Sequence, residues 1–218
     1  VSTEISLSEP GLTLVWGDEE AQIMTDGVIY AYKDVSDNLS VSSAYLLVPS
    51  METLREDLCG MIKEYEGSWS IYIKDLKCSI SLLINYRPQD SASLIKLYIA
   101  GAVLENIRDQ RLASTDTIDQ LLSDMVSLSD NEAANELVRY LSDEHDHRDG
   151  LVEVNRFISA HGYSDTYQYN GLEDPDLWYS DEFNVTSVRD CGRLLEEVYN
   201  GRFINHLVSR QLEGYLLN

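Results

Sequence analysis

Ser93 and Lys96 stand three residues apart in the stretch "SASLIKLYIAGAVLENI". On a helix, residues i and i+3 share a face, so both side chains would point the same way. "QDS" just before them supplies turn and capping chemistry. A serine at a helix start lies in the positive field of the helix N-terminus. A lysine pressed into an apolar wall loses proton affinity by desolvation. Such a lysine can take or relay the serine's proton and so create a nucleophile. Taken alone, the pair also suits an N-cap serine and a lysine that snorkels to solvent. Ser129-Asp130-Asn131 forms a second polar cluster, set between two amphipathic segments.

Other groupings carry less. "DEHDH", Asp143–His147, has the letters of a metal site but reads as surface charge at a helix end. The three cysteines, Cys59, Cys78 and Cys191, lack metal-like spacing and read as ordinary buried thiols. No nucleotide-binding glycine motif is present. No metal and no cofactor are expected.

The elements that must position these residues follow from periodicity. "LTLVWG", "GVIYAY" and "AYLLVP" are short β-prone runs within residues 12–48. Met51–Tyr65 has Leu54, Leu58, Met61, Ile62 and Tyr65 on one helical face. "WSIYIKDL" and "CSISLLINY" predict a hairpin turning at Asp75–Lys77. Helical patterns follow near 93–109, 116–127, 131–143, 149–161, 186–200 and 205–217. Residues 163–184 have no helical period and predict a long loop, a length usually tied to function. Strands first and helices later predict an α+β protein, with an antiparallel sheet packed beside a helical lobe.

S-x-x-K followed by S-D-N resembles the motif set of class A β-lactamases and penicillin-binding proteins. "SLIKLYIAGAVLENI", "SDNEAANELV" and "NVTSVRDCGRLLEEVYNGRFI" resemble helices of that superfamily. The likeness covers at least Glu52–Asn218, and the Ser93–Ser129 interval is shorter than in typical class A enzymes. It implies a β-lactamase/transpeptidase-like fold and a compact serine hydrolase. It also implies roles: Ser93 as acylated nucleophile, Lys96 as base or relay, Ser129 as proton donor to the leaving nitrogen. Asn131 would bond the substrate's acyl-side amide and Lys96. The Ser93 N–H would form half of an oxyanion hole. The implied substrate is a small β-lactam or a cell-wall peptide-like molecule. Since the family's substrates lie outside the cytoplasm, the resemblance implies a secreted or cell-surface protein, although no signal peptide opens this chain.

Two family features are missing or altered. No K-[ST]-G, H-[ST]-G or R-[ST]-G occurs anywhere. The order of features in residues 15–50 matches the family's late strands, as a circular permutation would produce. Val15, Trp16 and Gly17 would then occupy the third motif, with Tyr45–Val48 as the last strand. The alternative is an unrelated N-terminal strand extension. In the long loop the family carries E-x-x-L-N, whose Glu activates the deacylating water. Here Asp174 is the best match, with Glu173 shifted by one; solvated loop charge is the competing reading. The whole would be a single domain of residues 1–218: a strand region to 50, a helix and hairpin over 51–90, and a helical lobe over 91–218. A catalytically impaired binding or structural domain is the second function class.

The chain is 44% hydrophobic and 25% charged, which predicts folding, not disorder. A net charge of −22 repels nucleic acid and anionic membranes, so neither is an expected partner. The apolar runs are too short to insert into a bilayer.

Overall fold

Every residue from Lys96 to Leu104 is buried, which leaves the helix around them no solvent face. A helix apolar on all sides belongs in the middle of a domain, and the other helices of its own unit are arranged around this one. The computed structural model describes the backbone of residues 5–8, 11–16, 19–23, 32–33, 39–40 and 47–217 except Cys78, and side chains from Met51 onward. The chain forms two compact units, Val1–Asn85 and Tyr86–Asn218.

In the first unit, β1 (Ile5–Ser8), β2 (Gly11–Trp16) and β3 (Glu19–Ile23) make an antiparallel meander. β4 (Tyr32–Lys33) pairs with β5 (Leu39–Ser40). The expected strand "AYLLVP" is corrected: Leu47 and Val48 open helix α1 (Leu47–Ile62). Pro49 permits this, because a first helical turn has no use for its missing N–H. Ala44–Leu46 lie outside the described residues, as do most of "GVIYAY" and Gly17. The side chains of Val15 and Trp16 do too. On α1, Leu54, Leu58 and Ile62 are half-buried, whereas Met61 and Tyr65 are exposed. The expected hairpin is present as β6 (Ile71–Lys74) and β7 (Ser81–Ile84). Asp75 starts its turn by accepting the Lys77 N–H at 2.7 Å. β7 buries Leu82 and Ile84 and exposes its alternate residues, as period two requires.

The second unit holds the six expected helical segments. A 3-10 turn over Ala92–Ile95 runs straight into α2 (Lys96–Arg108). Then come α3 (Asp116–Ser127), α4 (Asn131–Tyr140), α5 (His147–Ala160), α6 (Val188–Tyr199) and α7 (His206–Leu216). Thr115, Asp130, Asp146, Ser187 and Asn205 each cap one of the last five through a side-chain oxygen. Such a cap contributes about 1 kcal/mol. The core gathers Tyr98, Leu122, Met125, Leu137, Val154, Phe157, Leu194, Phe203 and Leu212 around α2. A side chain at Gly101 would strike the rings of Phe157 and Phe203, so this glycine sets how closely α2 meets α5. Residues 163–184 form the expected long loop, with one 3-10 turn over Pro175–Leu177. Its far end continues into β9 (Val185–Thr186), which pairs antiparallel with β8 (Gln89–Asp90). The α+β expectation is borne out.

In "DEHDH", Asp143–Asp146 are exposed, as the surface-charge reading expects, and only His147 departs from it. Asp146 caps α5, and His147 is 3% exposed. Among the described residues, no group of three or more His, Cys, Asp or Glu is placed to hold a metal ion. Among them, no helix is long and apolar enough to cross a membrane.

Candidate active site

Ser93 sits in the 3-10 turn, and Lys96 is the first residue of α2. In a 3-10 helix the side chains at i and i+3 eclipse, so the turn stacks Lys96 against Ser93 more directly than an α-helix would. The turn is entered through Ala92 at φ +43°, while Asp90 Oδ1 accepts the Ala92 N–H at 3.0 Å. Ser91 occupies the cap position without a side-chain cap bond, so the expected capping comes from Asp90 instead. The Ser91 N–H donates to Asn184 O at 2.7 Å, which ties the turn that carries Ser93 to the end of the long loop. Ser93 is exposed; Lys96 is 4% exposed.

The second motif arrives on a different element. Ser129 lies between α3 and α4 at φ +60°, a strained conformation for a residue with a side chain. Asp130 holds it there: its N–H donates to Asp124 O at 3.1 Å, and its Oδ1 accepts the Ala133 N–H at 2.7 Å. This backbone turns both oxygens of Ser129 toward Lys96. Lys96 Nζ lies 2.5 Å from the Ser129 carbonyl oxygen, 2.6 Å from Asn131 Oδ1, 3.0 Å from Ser129 Oγ and 3.3 Å from Ser93 Oγ. Ser129 Oγ donates to Ser93 Oγ at 2.9 Å. Ser93, Ser129 and Asn131 therefore meet at the Lys96 nitrogen.

The two shortest contacts of Nζ are to carbonyl oxygens, which only accept. They occupy two N–H bonds. The remaining direction faces the two hydroxyls, where an ammonium would place an N–H and a neutral amine its lone pair. Burial pushes the Lys96 proton affinity below the usual lysine value, and the charges of Asp130 and Glu173 pull it partly back. Such an amine can receive a hydroxyl proton without first breaking its other bonds.

A family model described as the beta-lactamase enzyme family matches residues 53–120 and 113–218. The chain belongs to the beta-lactamase enzyme family. Residues 1–52 lie outside that match. Among solved structures, an ancestral (GNCA) class A beta-lactamase is 17% identical. That alignment covers 74% of this chain and 69% of that one, with a TM-score of 0.57. A beta-lactamase from Desulfarculus baarsii DSM 2075 is 18% identical over 76% of this chain and 69% of that one, with a TM-score of 0.60. At such identities the likeness speaks for the fold. No curated protein matches.

This beta-lactamase family chain builds its long loop from asparagines that composition alone did not single out. Asn135, buried one turn beyond Asn131 on α4, accepts the Leu172 N–H at 2.8 Å and donates to Leu172 O at 2.9 Å. Asn170 Oδ1 accepts the N–H groups of Tyr179 and Ser180, while its Nδ2 donates to Ser180 O and Glu182 O. Asn184 Oδ1 accepts from the N–H groups of Tyr169 and Asn170. A side chain at Gly171 would land 2.5 Å from Leu177 Cβ and 3.2 Å from Asn135 Oδ1. The available signal was Asn131 and Asn135 four apart on an otherwise apolar helix face.

The two loop acids separate. Asp174 spends a carboxylate oxygen on the Asp176 N–H, 3.0 Å away, and starts the 3-10 turn. Glu173 is exposed at φ +57°, and its charge acts on Lys96. A polar cleft lined by Asn106, Arg111, Tyr140 and Glu153 lies toward the opposite ends of α2 and α4 and holds none of these groups.

Proposed function

We propose that the chain is a serine hydrolase acting through a Ser93 acyl-enzyme on a β-lactam or a related small amide or ester. The observation that carries this is the convergence of Ser93, Ser129 and Asn131 on a buried lysine nitrogen. Ser93 Oγ attacks the acyl carbon as its proton passes to neutral Lys96 Nζ, directly or across Ser129 Oγ. The tetrahedral oxyanion then collapses, and the bond to the leaving nitrogen or oxygen breaks. Ser129 Oγ hands the proton on to that atom and is restored from Lys96. Asn131 holds Lys96 through Oδ1, which leaves its amide N–H free in direction to meet an acyl-side carbonyl. Water then adds to the acyl-enzyme, releasing the acid and returning the proton to Ser93. Of the two loop acids, Glu173 suits activation of that water better, because its charge reaches Lys96 while Asp174 is engaged in the turn.

Release is expected to be slow. The loop lacks the family's Glu-and-Asn pair, and misplacing the water by about 1 Å costs about 100-fold. In the same proposal, the protein acts outside the cytoplasm.

Intact-mass measurement after incubation with a fluorescent penicillin and with a fluorophosphonate tests the reading. A covalent adduct that Ser93→Ala abolishes is expected. Absence of both adduct and ester or lactam hydrolysis would sink it in favour of a non-catalytic binding domain.

A further inference from the structure

We propose that the cleft at the ends of α2 and α4 and the start of α5 is a binding site separate from the Ser93 site, and that it takes a small linear polyamine. Its volume is about 600 Å³, within the range of small-molecule sites.

One buried group points to a ligand. Asn106, in the last turn of α2, lines the cleft yet is only 8% exposed. Its main chain is pinned, because its carbonyl accepts the N–H groups of Arg111 and Leu112 at 2.9 and 3.1 Å. Its Nδ2 is spent on Ala102 O at 2.8 Å, and among the described residues no donor meets its Oδ1. Nor is that oxygen sealed inside the protein, as the unpartnered atoms of His147 and Gln168 are. A rigid acceptor left open to a cleft calls for a donor from outside the chain.

The surrounding charge selects that donor. Asp143, Glu144, Asp149 and Glu153 line the cleft, against Arg111 and Arg156 and no lysine. Both arginines are already paired, Arg111 with Asp109 at 3.1 Å and Arg156 with Glu153. His145, packed on Tyr140, bonds Glu136 at 2.9 Å. Among the described residues, Asp143, Glu144 and Asp149 have no cationic partner. α2 and α4 both end here, and a helix C-terminus carries about half a negative charge. α5 starts here, but Asp146 caps it and Asp149 lies in its first turn. The Tyr140 ring, also in the wall, attracts cations as well.

Spacing decides between a metal and an organic cation. Among the described residues, no group of three or more His, Cys, Asp or Glu is placed to hold a metal ion. The acids are spread out instead. Asp143 and Glu144 lie between α4 and α5, whereas Asp149 and Glu153 stand one turn apart on α5. A linear polyamine distributes its ammonium groups over such a span and keeps an N–H for Asn106 Oδ1.

NMR titration of the full chain with spermidine tests this, in about 0.15 M salt to screen diffuse surface attraction. Saturable shifts centred on Asn106, Tyr140 and Asp149 are expected. Asp143→Asn with Glu144→Gln should weaken binding on the order of tenfold. The same charge change in the first unit, Asp57→Asn with Glu64→Gln, should weaken it less than about twofold. Fully N-methylated spermidine keeps the charge but loses every N–H donor. It should bind on the order of tenfold more weakly, as a hydrogen bond between charged and neutral groups requires. Asn106→Leu should erase that difference; if this variant does not fold, the comparison of the two probes on the unaltered chain still decides. No binding, shifts scattered over the surface, or equal losses from the two charge pairs would overturn the site. So would equal affinity for the methylated probe or for succinate.

Discussion

In the proposed mechanism, Lys96→Arg keeps a positive charge at the centre of the site and removes the base, because a guanidinium does not give up its proton. Acylation should fall by about 10²–10⁴-fold, the usual contribution of a positioned acid–base group. The pH profile sharpens the test. The base works only when neutral, so wild-type acylation should rise with pH and level off. Burial lowers the Lys96 value, so the rise should centre below the ordinary lysine range. Stopped-flow burst rates across pH would show it; an Arg variant with wild-type rates would remove Lys96 from the mechanism. The spacing of Ser93 and Lys96 was legible because one helical turn is a local relation. The φ of +60° at Ser129 was not, since no glycine marks it. The bonds that Asp130 makes to Asp124 and Ala133 hold it there, together with those of Ser129 to Lys96.

Helix starts were legible where the periodicity begins, as at Asp116 and Asn131, whereas α6 starts at Val188 behind its cap Ser187, two residues past the expected start. They failed at α1, where β-prone Leu47 and Val48 were absorbed into a helix that tolerates Pro49 in its first turn. How closely elements approach was also not legible. A side chain at Gly150 would overlap the Val138 carbonyl oxygen, so α5 packs against the backbone of α4. Gly60 on α1 has nothing within 4 Å of the same position. Gly150→Ala should therefore destabilise by about 3 kcal/mol through overpacking. Gly60→Ala should be neutral or stabilise by about 0.5–1 kcal/mol, since alanine favours a helix over glycine. Urea midpoints of the two variants check this, and equal midpoints would mean that α4 and α5 separate easily. Because α4 carries Asn131 at its start and Asn135 one turn later, its seating positions both the site and the loop.

At the scale of the molecule, acidity and burial meet at His147. Its Nε2 is buried without a partner, and its Nδ1 lies 3.3 Å from the Tyr179 hydroxyl. Burial, with a contribution from Arg139, holds the imidazole at about 4, against an ordinary value of 6.5. The unfolded chain therefore binds a proton between these values that the folded chain refuses. The stability from neutral His147 is complete above pH 6.5 and is lost as pH falls toward 4. Relative to His147→Gln, the wild-type Tm should drop across that window; a constant difference would show that the proton is accommodated. From the sequence alone come the helix periods, the long loop, the family and the S-x-x-K pair. Each of these depends on residues within a few positions of one another or on a motif read in order. Tertiary packing decided the rest. It brings Ser129 and Asn131 to Lys96 across 33 and 35 residues of chain. It sends the charge of Glu173 to the site while Asp174 serves the turn, and it buries His147 in a run that reads as surface. Distances between segments and the water excluded between them arise only when helices pack, and no local pattern encodes them.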